Sequence, residues 1–149
     1  MSYMKSIKSQ RGLTLIELLA VIVILGIIAA IAVPAIGKIV KNSHNKAIKS
    51  EAIVVLEAAQ LYFLENNIQY EWETASIPNL VAQGYMEDGG YLNSTSFVTN
   101  VTPARICASA LDKSKVIFYD ATAEEIVNSG NDINVGSKAC GENNQEVPS

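Results

Sequence analysis

The sequence contains few of the residues on which enzyme active sites and metal centres depend. It has one histidine, His44, and two cysteines among its 149 residues. The HExxH, CxxC, GxSxG and glycine-rich phosphate-loop patterns do not occur in it. A four-ligand zinc site would need scattered residues, and a nucleotide site would lack its phosphate cradle. We therefore expect no enzyme activity, no cofactor and no metal.

Positive charge is scarce in the second half of the chain. From Ile68 onward there are four basic residues against eleven acidic ones, and an acidic surface repels the phosphates of nucleic acids. Three further bases, Lys5, Lys8 and Arg11, lie in the first twelve residues. Nucleic-acid binding by the C-terminal part is disfavoured, and the length fits one domain rather than two.

One long hydrophobic run is present. Residues 13–37 contain a single charge, Glu17, and residues 13–33 would cross a bilayer core of about 30 Å as a helix. The run is open to three interpretations: a secretory signal cut before Val33, a plain signal anchor, or a membrane helix with a further role. It is longer than a signal core of about 7–15 residues, and lysines on both sides make the positive-inside rule weakly informative.

Glu17 favours the third interpretation. A carboxylate at the bilayer centre costs about 2.5–3.5 kcal/mol, so one inside a span indicates a function. If the chain were cut after Gly12, the new amine of Leu13 would lie one helical turn from Glu17. The amine of one subunit could then neutralise the carboxylate of the next. Breaking such a buried pair is costly even where the pair adds little net stability, so it would fix the register of a polymer.

Residues 11–19, RGLTLIELL, resemble the class III signal of type IV pilins and of their type II secretion pseudopilin relatives. The resemblance is strong over residues 5 to about 40 and weaker beyond. It implies cleavage between Gly12 and Leu13 by a prepilin peptidase, N-methylation of Leu13, and an assembly role for Glu17. It also matches Pro34 to the proline at which the N-terminal helix of the family bends. Many members begin the mature chain with Phe, whereas this one would begin with Leu13.

The resemblance also implies partners, location and function. The precursor would be a single-pass protein of the cytoplasmic membrane with its N-terminus inside. It would polymerise with other pilin subunits, through an inner-membrane assembly platform and its ATPase, into an extracellular filament on the bacterial surface. The implied roles are adhesion, biofilm formation or twitching motility, and a type II secretion pseudopilin or competence pilin is the alternative. From another class, a signal-anchored extracellular binding domain would need the span but not Glu17.

The helical pattern continues past the apolar run. Residues 38–66 contain no Pro or Gly, and apolar residues recur there with helical spacing. This stripe consists of Ile48, Ala52, Val55, Leu56, Ala59 and Phe63. It predicts one helix over residues 13–66, kinked at Pro34 and stopped at Asn66 and Asn67. We expect a cleaved leader (1–12), a membrane-spanning and filament-core half of the helix (13–37), and a soluble head domain that includes the amphipathic half (38–149).

The remainder predicts an α+β head of the type IV pilin fold. Residues 77–86 are typical of a short helix, and residues 94–98, 105–110 and 115–119 are typical of strands. A small antiparallel sheet packed on the helix stripe would bury both apolar faces. The segment from Val127 onward is predicted to be mostly loop. His44 is predicted to be an ordinary surface residue.

Cys107 and Cys140 are an even pair in this head. Many pilins close a C-terminal loop with such a bond, so the resemblance implies a disulfide, which would stabilise the fold by about 3–4 kcal/mol. Two unpaired buried thiols are the alternative.

Overall fold

A computed structural model describes residues 14–136 and 139–141 of the chain. Contacts divide the described residues into two units, one ending at Ile39 and one beginning at Val40. The longest element is α1, which runs from Leu15 to Glu65 and has Pro34 inside it. This long N-terminal helix confirms the helix predicted over residues 13–66.

The end of α1 lies where the sequence predicts it. Asn67 adopts a left-handed φ of 53°, its N–H donates to the Leu64 carbonyl, and the N–H of Ile68 donates to the Phe63 carbonyl. These two bonds form a Schellman motif, in which asparagine replaces the more usual glycine. Ile68 also packs against the core that contains Phe63, the apolar contact that accompanies this motif.

In the first unit, α1 is apolar on all sides. Its most hydrophobic window of 18 residues has a mean hydropathy of 3.0, and none of that window is buried. By length and composition the helix could cross a membrane. A soluble helix normally buries its apolar face against another element. Among the described residues, no other element covers this apolar part of α1.

The second unit combines the rest of α1 with a sheet and two short helices. The elements after α1 are β1 (Thr74–Ser76), α2 (Ile77–Ala82), β2 (Phe97–Thr99), β3 (Arg105–Ser109), β4 (Ile117–Ala121), α3 (Ala123–Asn128) and β5 (Asn134–Val135). The sheet has the order β1-β2-β3-β4-β5. The unit is therefore α+β, as predicted.

The sheet differs from the prediction at both edges, since neither β1 nor β5 was predicted and β5 is parallel to its neighbour. Strands β1 to β4 pair antiparallel, but β5 pairs parallel to β4, with Phe118 opposite Val135. The chain between β4 and β5 explains the parallel pairing, because neighbouring parallel strands require a crossover connection rather than a hairpin. Helix α3 supplies that crossover between β4 and β5. The segment from Val127 onward, predicted to be mostly loop, thus contributes the end of α3 and the edge strand β5.

The core lies between the sheet and the predicted stripe of α1. All six stripe residues are buried and belong to one hydrophobic cluster. On the sheet side, the cluster includes Val98, Ile106, Ala108 and Phe118, which lie on β2, β3 and β4. Burial of each large apolar side chain contributes about 1.5–3 kcal/mol. The second unit thus has a core of its own.

Candidate assembly site

The N-terminal turn of α1 brings together two polar residues in an otherwise apolar segment. The main-chain N–H of Thr14 donates to Glu17 Oε2 at 2.8 Å, and the N–H of Glu17 donates to Thr14 Oγ1 at 3.4 Å. This reciprocal pair is a capping box, and it satisfies two N–H groups that the start of a helix leaves unpaired. Thr14 was missed by the sequence analysis, although the Thr-x-x-Glu spacing is its signal.

Glu17 is open to solvent in the isolated subunit. Every residue from Thr14 to Ile31 is exposed, and Glu17 is the one charged side chain among the described residues as far as Gly37. Among the residues that the structure describes, one donor reaches its carboxylate, the main-chain N–H of Thr14, and a carboxylate offers about four acceptor positions. The geometry therefore leaves Glu17 able to cap its own helix and to accept a proton donor from a second molecule.

The other predicted site residues are Gly12, Leu13, Pro34, Cys107 and Cys140. Gly12 and Leu13, at the predicted cleavage and methylation positions, lie outside the described residues. Pro34 lies inside α1, where its missing N–H removes one helical hydrogen bond. The kink there stays a prediction.

The two cysteines are joined by a disulfide. The Cα atoms of Cys107 and Cys140 are 5.8 Å apart, and both residues are buried. The bond connects β3 with the segment beyond β5 and closes a loop with a sequence separation of 33 residues. It therefore holds the C-terminal part of the described chain against the centre of the sheet.

His44 is more than the ordinary surface residue that the sequence analysis predicted. Its Nε2 pairs with Asp112 Oδ2, in the loop between β3 and β4, and its ring packs edge-on against Tyr91 with the centroids 5.0 Å apart. Hydrogen bonds from Ser114, and then the His44 contact, lower the pKa of Asp112 to about 2. His44 thus connects α1 to two separate loops of the head.

Lys49 forms a second connection from α1 to the head. Its Nζ donates to Ser129 Oγ at 2.6 Å and to the Gly130 carbonyl at 3.1 Å, immediately after α3. Burial lowers the pKa of Lys49, and the nearby Asp132 opposes that shift. A cation is favoured at this position because the C-terminal end of a helix carries partial negative charge.

The described residues contain no group of three or more His, Cys, Asp or Glu side chains that could hold a metal ion. Apart from Thr14, the residues next to Glu17 in the sequence are aliphatic, so the arrangement suits pairing with a cation or packing against another helix.

A comparison with known protein families finds one match, and it covers the segment that contains Glu17. Residues 7–33 match the family model described as the prokaryotic N-terminal methylation motif. No curated protein and no solved structure gives a match. The matched range includes Gly12, Leu13, Thr14 and Glu17. Together with a long N-terminal helix packed on a small sheet, the motif identifies a class III signal of the kind carried by prepilins of the type IV pilin family and their pseudopilin relatives.

Proposed function

We propose that this protein is the structural subunit of a type IV pilus, which polymerises through its apolar N-terminal helix into a surface filament. One observation carries the proposal: Glu17 lies in the first turn of α1, in an apolar stretch exposed from Thr14 to Ile31, inside a methylation motif. A simple membrane anchor would need the apolar residues but not the carboxylate. A filament in which such helices pack side by side needs the apolar residues for packing and the carboxylate for pairing with a neighbouring subunit.

Processing would create the partner for Glu17. Cleavage after Gly12 by a prepilin peptidase leaves an amine on Leu13, next to the Thr14–Glu17 capping box. In a staggered assembly, the amine of one subunit meets the carboxylate of its neighbour. Two charges in an apolar core are costly unless they are paired, so the pairing selects one register and disfavours all others.

The rest of α1 supports the same packing. Beyond the first unit, Val54, Leu61 and Leu64 are exposed on α1, although the opposite face of the helix is buried under the sheet. Exposed apolar residues on a helix of a soluble domain indicate an interaction surface when they lie together.

Before assembly the membrane would cover the first part of α1. Assembly would be driven by the inner-membrane platform and its ATPase, and the finished filament would serve adhesion, biofilm formation or twitching motility.

Substitution of Glu17 tests the proposal. We expect Glu17→Ala to abolish surface filaments while the protein stays in the membrane fraction, because the helix remains long and apolar. Glu17→Gln separates the two roles of the side chain, since glutamine retains the capping box but carries no charge. We expect Glu17→Gln to lose filaments as well. The measurement is electron microscopy of cells together with immunoblots of sheared and membrane fractions.

The matched control is Glu124→Ala, which removes an exposed glutamate from α3, outside the face of α1 that carries Val54, Leu61 and Leu64. We expect this variant to form filaments normally. Normal filament numbers in Glu17→Ala would show that Glu17 has no assembly role and would favour a signal-anchored domain instead.

A further inference from the structure

The tip of the connection between β3 and β4 differs in charge from the rest of the acidic head. Three bases beyond α1 lie among the described residues. Arg105 donates to the main-chain carbonyl of Asp120 at 2.9 Å. The other two, Lys113 and Lys115, lie in residues 111–115, and both are exposed. This segment, the β3–β4 loop, therefore carries exposed positive charge on an otherwise acidic domain.

The contacts of the β3–β4 loop show where along α1 it lies. Its Asp112 carboxylate pairs with His44. Other parts of the head meet α1 farther on, since the segment after α3 bonds Lys49 and the main-chain N–H of Tyr91 donates to Glu51. At about 1.5 Å per residue, these two contacts lie about 8 and 10 Å beyond His44 along the helix. The β3–β4 loop thus contacts α1 nearer to the apolar run than they do.

The part of α1 beside this loop is also basic. Residues 18–50 contain no acidic residue. Lys41 is exposed and precedes His44 by three residues, so the two lie on one face of the helix. Together with the two lysines of the β3–β4 loop, Lys41 gives three exposed positive charges near the level of His44.

Two exposed apolar side chains accompany these lysines. Leu111 is 63% exposed and Tyr91 is 48% exposed. They are neighbours, because the N–H of Leu111 donates to the Tyr91 carbonyl at 2.8 Å, and the Tyr91 ring packs on His44. Tyrosine and lysine each combine an apolar body with a polar end, which suits the boundary between lipid and water. We call Lys41, Tyr91, Leu111, Lys113 and Lys115 the lysine surface.

Nearby carboxylates offset part of the lysine charge. Asp112 accepts the N–H of Ser114 at 2.8 Å in addition to its contact with His44. Glu51 and Asp88 accept main-chain N–H groups of residues 90–91. These three acids therefore bond groups of the subunit itself. Their charge leaves the lysine surface with a modest attraction for anions, so a partner must be held close to it.

The membrane-spanning part of α1 provides that proximity. Seven residues separate Gly37, the end of the apolar run, from His44. In any conformation they span at most about 25 Å. An inserted α1 therefore keeps the lysine surface near the lipid headgroups. Binding to those headgroups is then intramolecular in effect, so contacts that are weak one by one are sufficient.

We propose that the lysine surface docks the head on anionic phospholipid headgroups of the membrane that α1 crosses before assembly. The lysines face the lipid phosphates, and Tyr91 and Leu111 lie at the boundary with the acyl chains. The inference rests on the proposed function only in that α1 is inserted in a membrane before assembly. Departure into a filament breaks these contacts, so anionic lipid favours the unassembled subunit.

A tryptophan in the β3–β4 loop reports the docking. Leu111→Trp in a Trp72→Phe background serves as the reporter, since Trp72 is the one tryptophan of the chain. The full chain is reconstituted at one copy per nanodisc. The lipid is phosphatidylcholine alone or phosphatidylcholine with a third replaced by phosphatidylglycerol. A trace of phosphatidylcholine with a nitroxide on its headgroup quenches any tryptophan that reaches the headgroups.

Matched variants of the reporter separate charge from other effects. Lys113→Gln/Lys115→Gln removes two charges, and Lys113→Arg/Lys115→Arg retains them at the same positions. The unsubstituted chain supplies a distance control. Its Trp72 donates to the Asn100 carbonyl, beyond the end of α1 at Glu65, and Glu65 is about 30 Å along the helix from His44.

We expect phosphatidylglycerol to increase quenching of the reporter and to leave Trp72 of the unsubstituted chain unchanged. The glutamine variant should lower the docking equilibrium constant by about 25-fold, about fivefold for each lysine. The arginine variant should stay within about twofold of the reporter. High salt should weaken docking, because it shortens the range of charge interactions from about 8 Å to about 3 Å.

Equal quenching of the reporter in the two lipid compositions would overturn the inference, and so would equal quenching of the glutamine and arginine variants. Quenching that ignores phosphatidylglycerol but changes when two chains share a nanodisc would also overturn it. That result would assign the lysines to the acidic head of a second copy.

The outcome is separable from that of the filament proposal. Docking is measured on single inserted chains, so it can persist when Glu17→Ala and wild-type cells make equal numbers of filaments. Conversely, filaments that depend on Glu17 would leave the assembly proposal intact if anionic lipid had no effect on the reporter.

Discussion

The carboxylate of Asp112 lies where the loop between β3 and β4 meets α1. Hydrogen bonds from Ser114 and the contact with His44 favour its ionised form, and its pKa falls to about 2. The folded-state pKa is thus below the unfolded value of 3.8. The sign follows from linkage: Asp112 stabilises the fold above the unfolded pKa, and that contribution is lost as the pH falls toward 2.

Comparison of wild type with Asp112→Asn measures this contribution. We expect the variant to have a lower free energy of unfolding at neutral pH, by about 0.2–1 kcal/mol, since the pair is partly exposed and screened by solvent. The difference should shrink as the pH falls from about 4 to about 2. Urea unfolding of the full chain, followed by Trp72 fluorescence at several pH values, gives both numbers. A difference that grew on acidification would contradict the assignment.

Gly136 follows β5 and has a conformation that other residues do not tolerate. Its φ is +89°, and a Cβ there would lie 2.1 Å from the Tyr119 carbonyl oxygen. Gly130 also has a positive φ, of +56°, but a Cβ there would have no neighbour within 4 Å. Alanine substitutions at Gly130 and Gly136 therefore separate two contributions to the free energy of unfolding. One is the cost of a left-handed backbone, and the other is the cost of a collision with main-chain atoms.

We expect Gly130→Ala to lower the free energy of unfolding by about 1–2 kcal/mol, the cost of the left-handed backbone. Gly136→Ala should cost more, by about 1–3 kcal/mol beyond that, because the main chain of β4 or β5 must shift. Denaturant unfolding of both variants provides the comparison. Equal destabilisation would mean that the β4–β5 edge is loose enough to absorb a methyl group.

At the scale of elements, α1 was predictable because its signals are long and repeated. The apolar run, the stripe from Ile48 to Phe63 and the stop at Asn67 each favour the same helix, and the structure contains it. Strands β2, β3 and β4 were placed within two or three residues of the predicted ranges. Their alternating or β-branched residues are typical of strands.

The elements that were missed are short and have weak local signals. Strand β1 has three residues and β5 has two, too few to show a period, and both depend on pairing with distant neighbours. Helix α3 is different, because Thr122 and Glu125 form a capping box whose spacing is visible in the sequence. The contact between His44 and Asp112 could not be predicted, since the two residues are 68 positions apart and only the folded chain brings them together.

The disulfide stabilises the C-terminal elements as a group. Reduction should lower the free energy of unfolding by about 3–4 kcal/mol, because it restores conformational freedom to the unfolded chain. The control is the Cys107→Ala/Cys140→Ala double variant, whose stability should not respond to reductant. Unfolding curves of both proteins with and without reductant test this. If the wild type did not respond to reductant, the bond would contribute nothing measurable to the fold.

At the scale of the whole molecule, the two units differ in how much of their apolar surface they bury. The head buries its apolar residues in one core and closes its C-terminal segment with a disulfide. The first part of α1 exposes large aliphatic side chains along its whole length. A surface of that kind suits lipid or other copies of the same helix. The proposed subunit uses both in turn, the membrane first and the filament afterwards.

The most direct test of this account is mass spectrometry of the N-terminus of the chain in filaments sheared from the cell surface. The account predicts a mature chain that begins at N-methylated Leu13 and is recovered in the sheared fraction. A chain that begins at Val33 would instead show a secreted protein whose apolar run is discarded. An intact chain that begins at Met1, found only in membranes, would show a signal-anchored domain, and either result would contradict the filament proposal.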